Sequence, residues 1–139
     1  MKRTKAIAIM GIFVLISSCT HEYSFDEVVG SYESRDYPSL SKAVMTLNAD
    51  STYKQLFLYR NEDILTNEGR WEFFHSPRLG TQITLRDAIV MWCNWKQDTV
   101  YADTFDVWVF DIDAYPLSNR MFIEIDPDNG IHYYKLKTN

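Results

Sequence analysis

"AVMTLNADSTYKQLFLYRNEDILTNEGRWEFF", residues Ala43 to Phe74, decides the fold. It holds three runs rich in β-branched and aromatic residues: Ala43 to Leu47, Thr52 to Tyr59 and Ile64 to Phe74. Between them stand Asn48-Ala49-Asp50-Ser51 and Arg60-Asn61-Glu62-Asp63. Such runs suit a pleated, half-buried surface, while Asn, Asp and Ser form turns because their short side chains bond the neighbouring backbone. The stretch predicts a meander of antiparallel hairpins.

The same alternation continues on both sides. Gly30 to Arg35 precedes the stretch; after the loop Ser76-Pro77-Arg78-Leu79-Gly80 come Thr81 to Leu85, Phe105 to Phe110, Met121 to Ile125 and Ile131 to Leu136. Met121, Ile123 and Ile125 are all aliphatic, the pattern of a strand with one face on a core. Asp126-Pro127-Asp128-Asn129-Gly130 suits a hairpin turn. As a calcium loop it fails, its glycine arriving one place early and no glutamate following at the twelfth position.

Two segments are less direct. Asp87 could cap a helix with Ile89, Trp92 and Cys93 on one side, yet Ala88 to Trp95 also suits a strand, the reading adopted. Asp111 to Asn119, with Tyr115-Pro116, reads as a long surface loop. Ser24 to Gly30 reads as one helical turn, capped by Ser24, with Asp26 and Glu27 at its amino end and Gly30 beyond it. About eight short antiparallel strands allow a closed barrel or a two-sheet sandwich. Sequential hairpins favour an all-β, antiparallel up-and-down barrel, which removes exposed sheet edges.

The chain opens differently. Met1 to Lys5 carries three positive charges and no acid, and Ala6 to Ile16 is apolar apart from Gly11. A bilayer-spanning helix needs about 20 residues, so this run has the length and flanks of a signal peptide instead. Its end, Leu15-Ile16-Ser17-Ser18-Cys19, resembles the lipobox of bacterial lipoproteins. The resemblance implies cleavage before Cys19, a diacylglycerol on its thiol and acylation of the new amino terminus. The alternatives are an ordinary secretory signal or an uncleaved helix. Each buried methylene contributes about 0.8 kcal/mol, so two or three chains anchor where one holds marginally. Thr20, in place of the aspartate that retains some lipoproteins in the inner membrane, tilts the expectation toward the outer membrane.

Removal of residues 1–18 leaves 121 residues: a lipidated tether, 19–23, and one domain, 24–139. Eleven Lys and Arg then face 19 Asp and Glu, a formal charge of −8, which argues against a nucleic-acid partner, since phosphate binding needs concentrated positive charge. With Cys19 acylated, Cys93 has no partner for an internal disulfide and reads as a small buried residue; a nucleophile or an intermolecular disulfide are the alternatives.

Phe25-Asp26-Glu27-Val28-Val29-Gly30-Ser31-Tyr32-Glu33 resembles the start of lipocalins and of lipocalin-like domains in small bacterial lipoproteins, with Tyr32 where that pattern has tryptophan. Leu47-Asn48-Ala49-Asp50-Ser51-Thr52-Tyr53 and Gly69-Arg70-Trp71-Glu72-Phe73 resemble the latter group too. The resemblance spans Ser24 to Leu85 and implies an eight-stranded barrel, either filled by its own side chains or holding one small apolar ligand. Tyr32, Tyr53, Tyr59 and Trp71 are the residues that would touch such a ligand; for Tyr32 and Trp71 the competing expectation is closure of one end of the core.

Signs of catalysis are lacking. His21, His75 and His132 show no metal-ligand spacing, and there is neither a nucleophile elbow nor a phosphate-binding glycine loop. Asp98, Asp103, Asp106, Asp111 and Asp113 cluster in the second half, in what reads as turn-like, solvated sequence. The expectation is a non-enzyme without cofactor or metal: a lipid-tethered barrel in the bacterial cell envelope that binds a small apolar ligand or envelope component. The alternative is a filled barrel acting as a protein-interaction module, an inhibitor or accessory subunit, with an exposed patch such as Tyr133-Tyr134.

Overall fold

The computed structural model describes residues 22–34, 41–60, 62–94, 99–114, 120–126 and 131–137. The leader, Cys19, His21, Asp98, Tyr115-Pro116 and the 127–130 part of the expected turn lie outside the described residues. One helical turn, α1 (Phe25–Val28), is followed by eight strands: β1 (Gly30–Ser34), β2 (Ser41–Leu47), β3 (Thr52–Tyr59), β4 (Glu62–Ser76), β5 (Gly80–Asn94), β6 (Thr99–Ala114), β7 (Met121–Asp126) and β8 (Ile131–Lys135). Each strand pairs antiparallel with the next, and β1 pairs with β8 through Tyr32↔Lys135 and Glu33↔Tyr134, closing an up-and-down barrel.

Local chemistry sets the near end. The Ser24 backbone N–H donates to Glu27 Oε2 at 2.8 Å and the Glu27 N–H donates back to Ser24 Oγ at 3.4 Å, a capping box that satisfies two orphan donors of α1. Gly30, at φ +142, then takes the chain into β1, where a side chain would press on Lys135 Cε at 3.1 Å. Phe25 stacks on Trp71 with centroids 5.0 Å apart and planes 6° off parallel. The pair contributes roughly 0.5–1.5 kcal/mol beyond its buried area. Trp71 in turn fixes the β2–β3 hairpin: its Nε1 donates to the Asn48 carbonyl at 2.9 Å and its backbone N–H to the Ser51 carbonyl at 2.9 Å. The turn and the Gly-x-Trp piece, distant in sequence, are thus one unit.

Around the barrel the inward side chains form a continuous core that includes Tyr32, Met45, Leu47, Tyr53, Phe57, Ile83, Leu85, Phe110, Ile112, Ile123 and Tyr133. β4 supplies a hand-over. Its first half pairs with β3 as far as Thr52↔Arg70, its second with β5 from Trp71↔Leu85 onward. Beyond Leu85, β5 leaves β4 at Asp87, which sits in the left-handed region at φ 57, and side chains replace the missing strand. Gln55 Nε2 donates to the Ile89 carbonyl at 3.0 Å, and Gln55 Oε1 accepts from the Ile89 N–H at 3.1 Å. Asn67 Nδ2 donates to the Asp87 carbonyl at 2.7 Å and Tyr53 Oη to that of Arg86 at 2.6 Å. A side-chain amide thus satisfies both backbone groups of one residue.

Several sequence expectations change here. Thr81 to Leu85 and Ala88 to Asn94 are parts of a single strand, β5, and Asp87 is a left-handed residue within it rather than a helix cap. The expected loop from Asp111 to Asn119 is strand as far as Ala114, because Ile112 pairs inward with Ile123 and Ala114 pairs with Met121. Asp103, Asp106, Asp111 and Asp113 therefore lie on an extended strand, not in turns. The turn expected over Arg60 to Asp63 is shorter, since Glu62 and Asp63 already belong to β4. Tyr133 is buried in the core, not exposed; only Tyr134 reaches the outside, half-buried beneath the Arg120 guanidinium at 4.8 Å.

Candidate functional site

The four aromatic residues expected near a ligand are placed as follows. Tyr32 is fully buried, its hydroxyl donating to the Val28 carbonyl and touching Met121 Sδ at 3.4 Å, and burial pushes its phenol far above the usual range. Tyr53, on β3, is buried against the β5 backbone at Arg86; its phenol is pushed up to about 12, chiefly by burial, against an opposing hydrogen bond from Asn67. Trp71 is buried under Phe25. Tyr59, half-buried at the end of β3, lies beneath the Arg60 guanidinium at 5.1 Å. The structure brings Tyr32, Tyr53 and Trp71 into the core, each with its polar atom on a backbone carbonyl, and leaves Tyr59 apart. Cys93 lies on β5 opposite Val100.

Outside the barrel, β6 carries a different arrangement. Its inner face presents Trp108, Phe110 and Ile112, with Phe105, Trp108 and Phe110 in successive ring contact at 4.3 and 5.2 Å. Its outer face presents Val107 and Val109, each 51% exposed, while Phe105 is 37% exposed. Phe74, 49% exposed, lies on the same outer wall two strands away. The signal for this strip is present in Phe105-Asp106-Val107-Trp108-Val109-Phe110: apolar residues occupy both parities, so one set must face away from the core. Reading the run only as a core strand misses it.

The second edge of β6 is the other unusual feature. β6 pairs with β5 over nearly its whole length, from Thr81↔Ile112 to Asn94↔Thr99, but with β7 only over Ile112↔Ile123, Asp113↔Phe122 and Ala114↔Met121. Among the described residues no strand pairs with that edge from Thr99 to Asp111. The register beyond the fork is unfavourable. One further step would set Asp111 opposite Glu124, and like charges directly across a pair are destabilising. Each acid instead turns to its other neighbour: Gln82 Nε2 on β5 donates to Asp111 Oδ1 at 2.7 Å, and His132 Nε2 on β8 stands 3.9 Å from Glu124 Oε1.

Below the fork lies a cleft of about 360 Å³ lined by Glu22, His75, Arg78, Thr81, Asp111, Asp113 and Glu124 among others. Thr81 ties it to the amino-terminal segment, its Oγ1 accepting from the Tyr23 N–H at 3.4 Å and meeting His75 Nδ1 at 3.1 Å. The His75 Nε2 lies 3.6 Å from Glu22 Oε1. Among the described residues no three His, Cys, Asp or Glu side chains converge as a metal site. Compared with protein-family models, with curated proteins and with solved structures, the chain finds no match.

Proposed function

We propose that this chain is a non-catalytic, lipid-anchored protein of the bacterial outer membrane, in which a lipocalin-like barrel serves as a protein-interaction module of the cell envelope. One observation carries the reading: the exposed Val107 and Val109 on the outer face of β6, with the partly exposed Phe105 on its other face, along a strand edge that no described strand covers. An exposed apolar strip of this kind marks a contact surface more often than a packing fault. The interior supports the same view, because Tyr32, Tyr53 and Trp71 spend their polar atoms on the barrel's own backbone. Cys19 carries the anchor in this reading.

The test is photo-cross-linking in living cells with a benzophenone amino acid at Val107, and at Lys54 on a different wall as control. Discrete adducts at Val107 and none at Lys54 are expected; equal labelling at both, or none, overturns the reading. A second reading, a small apolar ligand held in the end away from α1, rests on Ser34. Its hydroxyl is fully buried there and has no hydrogen-bond partner among the described residues. Native mass spectra of the domain from Thr20 onward, before and after solvent extraction, test it: an extractable extra mass supports it and a bare mass overturns it.

A further inference from the structure

We infer that the edge of β6 that no described strand covers accepts an added β-strand, and that its occupant is an extended segment of another protein in which basic and apolar residues alternate. The inference rests on the interaction reading above and specifies its partner. Three features of one strand converge on it.

The first is backbone. From Thr99 to Asp111 the β5-facing groups of β6 are paired, while its outward groups meet no described strand. Unpaired N–H and C=O groups in a row are a template for strand addition, in which main-chain hydrogen bonds supply affinity and alternate side chains supply selection.

The second is the apolar content of that edge. Val107 and Val109 project from its outer face, and Phe105 leads on to Trp108 and Phe110 on the other. A segment lying alongside would set its own alternate side chains against each set, as cross-strand neighbours 4.5–5.5 Å apart do in general.

Charge selects the occupant. Asp103, Asp106, Asp111 and Asp113 stand exposed along the same strand, and the fork at its lower end adds Glu124. Two copies of this edge laid against each other would bring acids against acids, an arrangement that natural edge strands use to prevent self-pairing. A basic segment is attracted by the same charges, which raise its encounter rate and fix its register. Acidic and neutral partners gain nothing from them.

The experiment uses the domain from Thr20 onward and amide hydrogen exchange. The probe is a blocked peptide of about eight residues alternating lysine and valine, a common strand length. Its counterparts are the same peptide N-methylated at alternate residues and a glutamate–valine version. The expected result is slowed exchange confined to Thr99–Asp111 with the lysine peptide and at least a tenfold weaker affinity after N-methylation, which removes backbone pairing but keeps charge and side chains. Asp103→Asn with Asp106→Asn should weaken binding several-fold and flatten its salt dependence. Equal binding by the N-methylated peptide, protection elsewhere, or no binding overturns strand addition. Equal binding by the glutamate peptide, or protection that grows with protein concentration alone, overturns the basic partner. Discrete Val107 adducts in cells alongside a failed peptide would leave the interaction reading standing and remove only the strand.

Discussion

Replacing Gly69 with alanine would put a methyl carbon 2.5 Å from the Arg86 carbonyl oxygen and 2.7 and 2.8 Å from Cε1 and Oη of Tyr53. The backbone of β5 passes Gly69 at Arg86, and the Tyr53 hydroxyl lies there because it donates to the Arg86 carbonyl at 2.6 Å. Overpacking of this kind costs roughly 1–3 kcal/mol, and losing the displaced hydrogen bond about 1 kcal/mol more. The smaller backbone entropy of alanine in the unfolded chain returns about 0.5–1 kcal/mol. The net expectation is about 2 kcal/mol of destabilisation, or about 8 °C in Tm for a domain of this size.

Urea unfolding of the domain with and without the substitution measures it, with an unchanged m-value as the sign that only the native state was affected. Tyr53→Phe supplies the control for mechanism. If the methyl acts by displacing the hydroxyl, the double variant should lose about 1 kcal/mol less than the two single losses together. A Gly69→Ala variant that is neutral or stabilised would refute the reasoning, since that is the outcome for an uncrowded extended position.

The remaining predictions concern the same body. Gln55→Leu leaves the Ile89 N–H and C=O without their partners, so exchange should accelerate across Ala88–Asn94 and Thr99–Phe105 before the rest of the barrel, at a cost of roughly 1–3 kcal/mol; unchanged local exchange would sink the idea. Phe25→Ala removes the stack on Trp71, and should change the near-ultraviolet circular dichroism of the tryptophans and lower stability by about 1–2 kcal/mol; an unaltered spectrum counts against the packing described. Burial raises the phenols of Tyr32 and Tyr53. The stability this gives is whole below pH 10, the ordinary tyrosine value, and is lost as pH rises through the raised ones. Alkaline unfolding should therefore coincide with late tyrosinate absorbance, and Tyr53→Phe should flatten the slope between pH 10 and 12.

Much of the barrel was legible because its signals are local. Asn48 to Ser51 turns the chain through short-range bonds, Asp50 Oδ1 accepting from the Thr52 N–H at 3.0 Å, and these belong to the residues named in the motif. The left-handed break at Asp87 was not legible. An aspartate before an apolar run reads equally as a helix cap or as a left-handed residue in a strand, and only Asn67, Gln55 and Tyr53, up to 34 positions away, decide between them. β6 was underestimated because aspartate disfavours strands, whereas its neighbours Ile112 and Ala114 pair with Ile123 and Met121. Aromatic residue type pointed to Tyr32, Tyr53 and Trp71, which lie in the core with their polar atoms on backbone carbonyls, while the exposed outer face of β6 is written in valines, residues that carry no chemical signature of their own.

The contact of Tyr23 with Thr81 bears on how this body would stand in a cell. Glu22 and Tyr23 run across the end from which β5 starts, and three residues separate Cys19 from Tyr23. An acyl chain on Cys19 would then be leashed within about 15 Å of that end, given roughly 3.5 Å per extended residue. On the proposed anchoring, the helix-capped base would rest near the lipid surface and the far ends of β5 and β6 would stand away from it. A partner arriving from the water would meet the Thr99 end first and the acidic fork last, and could zip down the strand without ever entering the bilayer.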